Sequence, residues 1–282
     1  MKYAIHDYHK NRDGKTSPTD EYYTKLEEVE FIFDIFIIKD ELKDKIIYCP
    51  ADGEESNFVK YLIQHKDDIQ YKELIYTSDD MMTHEDLFQK ADYIITNPPF
   101  SMLRKHLLPL LKRNNCKFFL FGSFINNRFY LETYSPFECK YIRRGNFSFI
   151  TPFVGDLSGT NDVYVASTIY LTNMNIRETG DNLSKEIMPS KKFLTKSLDE
   201  IPNIYALDED SPYLIIDRIE NYPKDYYEPV WATISAYQYK YTKYFDYIDI
   251  RDKNGGIKWF VSKCSDNKNR FLRVLVKRKK DI

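Results

Sequence analysis

The chain has 282 residues, 43% of them hydrophobic and 30% charged, and a net charge of −2. That content supports a sizeable core, in one large domain or one domain with an appendage. Scarce glycine (9) and abundant tyrosine (24) exclude low-complexity disorder. A near-neutral chain is not a polyanion magnet as a whole, and no apolar run approaches the roughly 18 residues of a membrane span.

Residues 1–19 are polar and broken by Asn11-Arg12-Asp13-Gly14-Lys15 and Ser17-Pro18, which reads as an arm or loop. From Leu26 to about Ile38 apolar residues are dense, which predicts a helix packed on a sheet. Residues 45–49 predict a short strand, Pro50-Ala51-Asp52-Gly53 a turn, and Ser56 the N-cap of a helix over 57–63. A strand over 73–77, a short helix from His84 to Lys90, a strand ending at Thr96, a helix over 102–113 and a strand over 117–122 follow. Strands alternating with helices indicate a parallel, doubly wound sheet. Beyond about residue 141 helical signals thin out, and 163–171, 213–216 and 271–276 read as strands.

The start, Met1 to Asp7, lacks the pattern of a signal peptide. Cys49, Cys116, Cys139 and Cys264 are too widely spaced for a metal-ligand pattern, so the expectation is a reduced, cytoplasmic protein without a metal.

Asn97-Pro98-Pro99-Phe100 stands at the carboxyl end of a predicted strand, where open α/β sheets place their ligands. The prolines fix the backbone, remove two donors and leave carbonyls free. The Asn97 side-chain oxygen and the Pro98 carbonyl can accept the two protons of an exocyclic amine, and Phe100 can stack on its ring. Drawing the amine toward tetrahedral geometry frees its lone pair to attack an electrophilic methyl group. Asn-Pro-Pro is also a common turn signal. The flanking strand and helix and the aromatic fourth residue favour the chemical reading.

A donor site belongs at the first strand end, where Cys49-Pro50-Ala51-Asp52-Gly53 leads into Ser56-Asn57-Phe58. A tight turn opening a helix brings backbone N–H groups toward a ligand, and Asp52 can accept from an ammonium or hydroxyl group. Asp52 also reads as an ordinary solvated turn residue. Asp79-Asp80 can hold ribose hydroxyls or be a plain loop pair, and Asp86 reads as a first-turn helix residue. Residues 258–282 carry nine Lys/Arg against Asp266 and Asp281, a surface for phosphates or a solvated tail. Arg143-Arg144 and Lys191-Lys192 divide the same way.

These blocks, in this order, resemble the EcoRI-type adenine-specific DNA methyltransferases. The resemblance rests on Asp20-Glu21-Tyr22-Tyr23-Thr24, Tyr48-Cys49-Pro50 with Asp52, Ser56-Asn57-Phe58, and Ala91-Asp92 through Asn97-Pro98-Pro99-Phe100-Ser101. It continues to Gly122 and Tyr170-Leu171-Thr172-Asn173, and more faintly to Pro223-Lys224-Asp225-Tyr226 and 273–279. It implies a Rossmann-like methyltransferase sheet with a mixed α+β C-terminal region, S-adenosylmethionine as donor and double-stranded DNA as substrate. Residues 1–19 would be an arm, 20–174 the catalytic domain and 175–282 the target-recognition region. Tyr22, Tyr23 and Thr24 would cover the methionine end of the cofactor, Cys49 to Asp52 would form its loop, and Asp79 would meet its ribose. Asn97, Pro98, Pro99 and Phe100 would bind a flipped adenine. Such an enzyme is half of a restriction-modification pair with a cognate nuclease, or an orphan methylase. Ala51 and Gly53 depart from the family's more acidic loop, and the stretch from Asp79 to Ala91 is short. Methylation of an RNA base or a protein glutamine uses the same tetrapeptide, and a DNA-binding module without catalysis is a further alternative.

Overall fold

A computed structural model describes residues 23–99, 102–123, 130, 133–134, 138–150, 162–177, 197–200, 213–216, 218–233, 241, 244–250, 260–263 and 270–280. The chain divides into two compact units, Met1–Asn126 with Arg144–Asp181, and Asn127–Arg143 with Asn182–Ile282.

The first unit is built on a doubly wound, Rossmann-like sheet. Its strands are β1 (Ile46–Pro50), β2 (Glu73–Thr77), β3 (Tyr93–Thr96), β4 (Lys117–Ser123), β5 (Lys140–Ile150, which belongs to this unit from Arg144 on) and β6 (Asp162–Thr172), in the order β2-β1-β3-β4-β6-β5. The pairs β1/β2, β1/β3 and β3/β4 are parallel, and β4/β6 is antiparallel. Ile47, Tyr48 and Cys49 of β1 and Phe118 to Phe121 of β4 are fully buried, as central parallel strands covered on both faces require.

Helix α1 (Leu26–Ile35) precedes β1, and α2 (Asn57–Gln64), α3 (Lys66–Ile69), α4 (Glu85–Lys90) and α5 (Leu108–Arg113) lie between successive strands. Val29, Ile32 and Phe33 form the buried stripe of α1, and Phe33 stacks on Tyr61 of α2 at 4.4 Å between ring centroids. Phe36, Phe119, Phe121 and Tyr170 pack ring against ring in the core, which is where much of the high aromatic content resides.

Two expected helices differ in detail. The first stops at Ile35 rather than Ile38, and Ile37 instead bridges Ile176 in an extended pairing. Its run of β-branched residues suits that geometry better than a helix. The helix expected over 102–113 opens with a π turn, Leu103–Leu107, in which the Leu108 N–H reaches the Leu103 carbonyl. The widening immediately precedes Pro109, which has no N–H and crowds the carbonyl one turn back.

The second unit contains a sheet of β7 (Leu214–Ile215), β8 (Val230–Thr233), β9 (Phe245–Tyr247), β10 (Phe260–Lys263) and β11 (Arg270–Arg278), ordered β10-β11-β8-β7 with β9 also pairing β11. Ile215, Trp231 and Leu275 form a small core there. The basic C-terminal stretch is therefore not a solvated tail, because much of it is the strand β11. Arg273 is fully buried and donates to the Ile216 carbonyl. Arg278 donates to the Lys224 carbonyl and lies 5.0 Å from the Tyr227 ring, and Lys279 pairs with Asp246 at 3.6 Å. Lys258, Lys268, Lys191, Lys192 and the side chains of Arg143, Arg144, Lys263 and Arg270 lie outside the described residues.

Cys49, Cys116 and Cys139 are buried and unbridged. Among the described residues no group of His, Cys, Asp and Glu is arranged to hold a metal, and no helix is long and apolar enough to cross a membrane.

Candidate active site

The strand order reverses between β1 and β3. From β1 the chain builds outward to β2 on one side, then crosses to build β3 and β4 on the other. Such a switch point opens a crevice at the carboxyl ends of the two strands. Thr96, the last residue of β3, donates its hydroxyl proton to the carbonyl of Pro50, the last residue of β1, at 2.7 Å in the core. Asp52 follows one strand end and Asn97 the other.

Beyond β1 the backbone turns through Ala51 at φ 62°, a left-handed conformation strained for a residue with a Cβ. Asp52, next in the chain, is only 7% exposed, so it is not a solvated turn residue. Its Oδ1 accepts a 2.6 Å bond from Ser56 Oγ, and Ser56 Oγ in turn accepts the Phe58 N–H at 3.2 Å as the N-cap of α2. Asp52 Oδ2 is buried and has no hydrogen-bond partner. Burial pushes the Asp52 carboxyl up to about 6, while the Ser56 and Thr96 hydroxyls pull it partly back. A buried carboxylate with one unsatisfied oxygen is a seat for a cationic or hydroxylic donor. Burial also drives the Cys49 thiol well up, so it stays neutral and lines the strand as an apolar group.

Tyr22 lies outside the described residues, and Tyr23 is half-buried. Thr24 is 5% exposed, its Oγ1 has no hydrogen-bond partner, and its carbonyl accepts a 2.8 Å bond from Asn57 Nδ2. Asp52 and Thr24 are thus each tied to the first residues of α2, Asp52 through Ser56 and Thr24 through Asn57.

The Asp79-Asp80 pair, just past β2, divides its duties. Asp79 is exposed, and both its oxygens lie against His84 Nε2, at 2.8 and 2.9 Å, which holds its carboxyl below the usual range. Asp80 Oδ1 accepts the Met82 N–H at 3.0 Å and serves as a local cap. Asp86 sits in the first turn of α4. Sequence reading missed His84, Asn57 and Thr96 as partners. Only the threonine closing a strand just before Asn97 left a local trace.

Asn97 is half-buried with a buried side-chain oxygen, Pro98 is buried, and no peptide bond here is cis. The Pro99 carbonyl is not free as expected. It accepts from the Met102 and Leu103 N–H groups at 3.0 and 3.2 Å and so starts the following helix. Phe100 and Ser101 lie outside the described residues.

Residues 9–88 match the family described as adenine-specific methyltransferase EcoRI. The resemblance to the EcoRI-type methyltransferases holds. The match takes in Thr24, Asp52, Asn57 and Asp79 and ends before Asn97. The chain is similar to the Type II methyltransferase M.EcoRI of Escherichia coli, at 26% identity over 199 residues, covering 52% of this chain and 60% of that protein. It is also similar to the Type II methyltransferase M.MgeORF184P of Mycoplasma genitalium, at 24% identity over 143 residues, covering 41% of this chain and 44% of that protein. The chain thus spans less than two thirds of either relative. Among solved structures, a precorrin-6y C5,15-methyltransferase from Geobacter metallireducens aligns with a TM-score of 0.34 at 10% identity, over 55% of this chain and 90% of its own. A precorrin-8w decarboxylase from Methanobacterium thermoautotrophicum aligns with a TM-score of 0.34 at 11% identity, over 54% and 91%. At these scores the fold stands on its own strand order rather than on the likeness.

Proposed function

We propose that this chain is a cytoplasmic, site-specific DNA adenine-N6 methyltransferase that uses S-adenosylmethionine. The observation that carries the reading is the half-satisfied Asp52 carboxylate, buried at the same switch point that presents Asn97-Pro98-Pro99. Asp52 Oδ2, a buried acceptor, and Thr24 Oγ1, a buried hydroxyl that can donate, have no hydrogen-bond partners, which fits the ammonium and the carboxylate of an amino-acid-bearing cofactor. Tyr22, Tyr23 and Cys49 to Asp52 would complete that end, and Asp79 would hold the ribose. The cofactor supplies an electrophilic methyl group on a sulfonium.

The protein's own part is orientation. Asn97 Oδ1 and the Pro98 carbonyl accept the two amine protons of the target base and turn its lone pair toward the donor side of the crevice, with Phe100 stacking on the ring. A base inside a duplex cannot reach a strand-end crevice, so the adenine is flipped out of the stack. Residues 20–174 act as the catalytic domain and 175–282 as the target-recognition region, in a restriction-modification pair with a nuclease or as an orphan methylase.

Single-molecule sequencing of DNA from a methylation-free host expressing the chain tests this. Methylated adenine at one short repeated motif is the expected result. Unmodified DNA, from protein that binds S-adenosylmethionine, overturns the DNA assignment and points to an RNA or glutamine acceptor. Unmodified DNA without cofactor binding leaves a DNA-binding role.

A further inference from the structure

We propose that Asn57 is a positioning residue of the cofactor site, acting through Thr24. The inference rests on the S-adenosylmethionine reading above and adds a residue to which no role is otherwise assigned.

Ser56 and Asn57 are consecutive, yet each reaches a different arm of the site. Ser56 bonds Asp52 at 2.6 Å, and Asn57 bonds the Thr24 carbonyl at 2.8 Å across 33 positions of sequence. Both arms end in a residue more than nine-tenths buried that carries a polar atom without a partner, Asp52 Oδ2 and Thr24 Oγ1. Buried polar atoms are normally satisfied, so two at the opening of one helix point to a ligand that supplies their partners.

Asn57 is not needed by α2 itself. Ser56 already caps the helix, and asparagine is a poor residue within one. Nor is it needed to dock α1 on α2, which the stacking of Phe33 on Tyr61 achieves. Its amide instead fixes the backbone of Thr24, which lies outside helix and strand and immediately precedes Lys25, the N-cap of α1. Released from Asn57, that backbone loses the tie that sets where the Thr24 hydroxyl stands relative to Asp52.

The test is a double-mutant cycle on the full chain, reading S-adenosylmethionine affinity by calorimetry, KM and kcat for methyl transfer, and thermal melting. Asn57→Ala is expected to weaken cofactor binding about tenfold and to raise the cofactor KM alike, while kcat at saturating cofactor holds. Thr24→Val, which deletes only the hydroxyl, weakens binding comparably. The double variant binds no worse than the weaker single one, because both changes remove one interaction. Asn57→Asp keeps the shape, loses the donor and reproduces the alanine result should Asn57→Ala fold poorly. Wild-type affinity in both Asn57 variants, or fold-losses that multiply in the double variant, overturns the proposal. Failure of the wild-type chain to bind S-adenosylmethionine removes the parent reading, and this one with it.

Discussion

Thr96 and Pro50 close the ends of neighbouring strands with a buried 2.7 Å hydrogen bond from hydroxyl to carbonyl. Asp52 leaves one of those strand ends and Asn97 the other, so this bond ties together the two arms of the proposed site. Thr96→Val keeps the shape and removes the donor, leaving the buried Pro50 carbonyl unsatisfied at a cost of about 1–3 kcal/mol. Urea denaturation is expected to show that loss, with methyl transfer falling as well. An unchanged unfolding midpoint would mean the strand ends need no such tie.

Asn97→Ala is expected to lower methyl transfer by about 100-fold or more, as loss of an orienting hydrogen bond does in preorganised sites. Cofactor affinity is expected to hold, because Asn97 follows β3 whereas the proposed cofactor arms follow β1 and precede α1. Single-turnover transfer paired with calorimetry separates the two. Full activity in this variant would sink the catalytic assignment of the Asn97-Pro98-Pro99 turn.

Asp52 is held at about 6 against an ordinary 3.8, a raised carboxyl in a folded protein. The sign follows directly. Folding is favoured where Asp52 is protonated, that contribution is complete below the ordinary value, and it is lost as pH rises through about 6. Asp52→Asn is therefore expected to gain stability at pH 7.5, by at most about 3 kcal/mol, and to gain little at pH 4. The same variant loses cofactor binding, a trade of function for stability. In the wild type, affinity for a cationic cofactor falls as pH drops below about 6. Melting at the two pH values and calorimetry across pH 5–8 check both halves.

His84 holds Asp79 through both carboxylate oxygens. Asp79→Ala is expected to weaken cofactor binding about tenfold, and His84→Ala by a few-fold, since it frees the carboxylate without removing it. Asp79 is exposed, so neither change is expected to move the melting temperature appreciably. Equal losses for the two variants would make His84 a direct contact instead.

Arg273 is a structural cation. Its guanidinium is fully buried against the Ile216 carbonyl, so Arg273→Ala, which takes the donor from that carbonyl, is expected to destabilise the second unit by roughly 1–3 kcal/mol. The salt dependence of DNA binding at temperatures where the variant stays folded is expected to match wild type, because a buried guanidinium releases no counterion. A shallower salt slope would return Arg273 to the phosphate-binding surface.

The strands β1 to β4 were legible because they are short apolar runs closed by turn residues, and Ser56 announces α2 as a cap followed by Phe58 and Val59, whereas β5 (Lys140–Ile150), with Arg143, Arg144 and Asn146 along it, carries no such run. The end of α1 was not legible, because Ile35, Ile37 and Ile38 continue an apolar run in which helix and strand look alike. In the second unit, β8 and β9 are too short to carry a period. The run 271–276 was read as a strand, but the basic count of 258–282 hid that Arg273 within it is a buried charge. At the site, Asp52 and Asn97 could be read from their places at strand ends. The pairings of Asn57 with Thr24 and of His84 with Asp79 depend on which side chains the fold brings together, and no local pattern records them.

The wide turn at Leu103–Leu107 carries one residue more than regular winding needs. A π turn is an α-helix with one residue too many, so deleting a single exposed position there, such as Lys105, would restore regular winding. Because the wide turn absorbs the extra residue, the helix on either side would keep its phase, with Leu108, Leu110 and Leu111 in their seats in the core and the Pro99 carbonyl at its start. The segment after Asn97 is thus a place where the chain can shorten by one residue without moving the Asn97-Pro98-Pro99 turn.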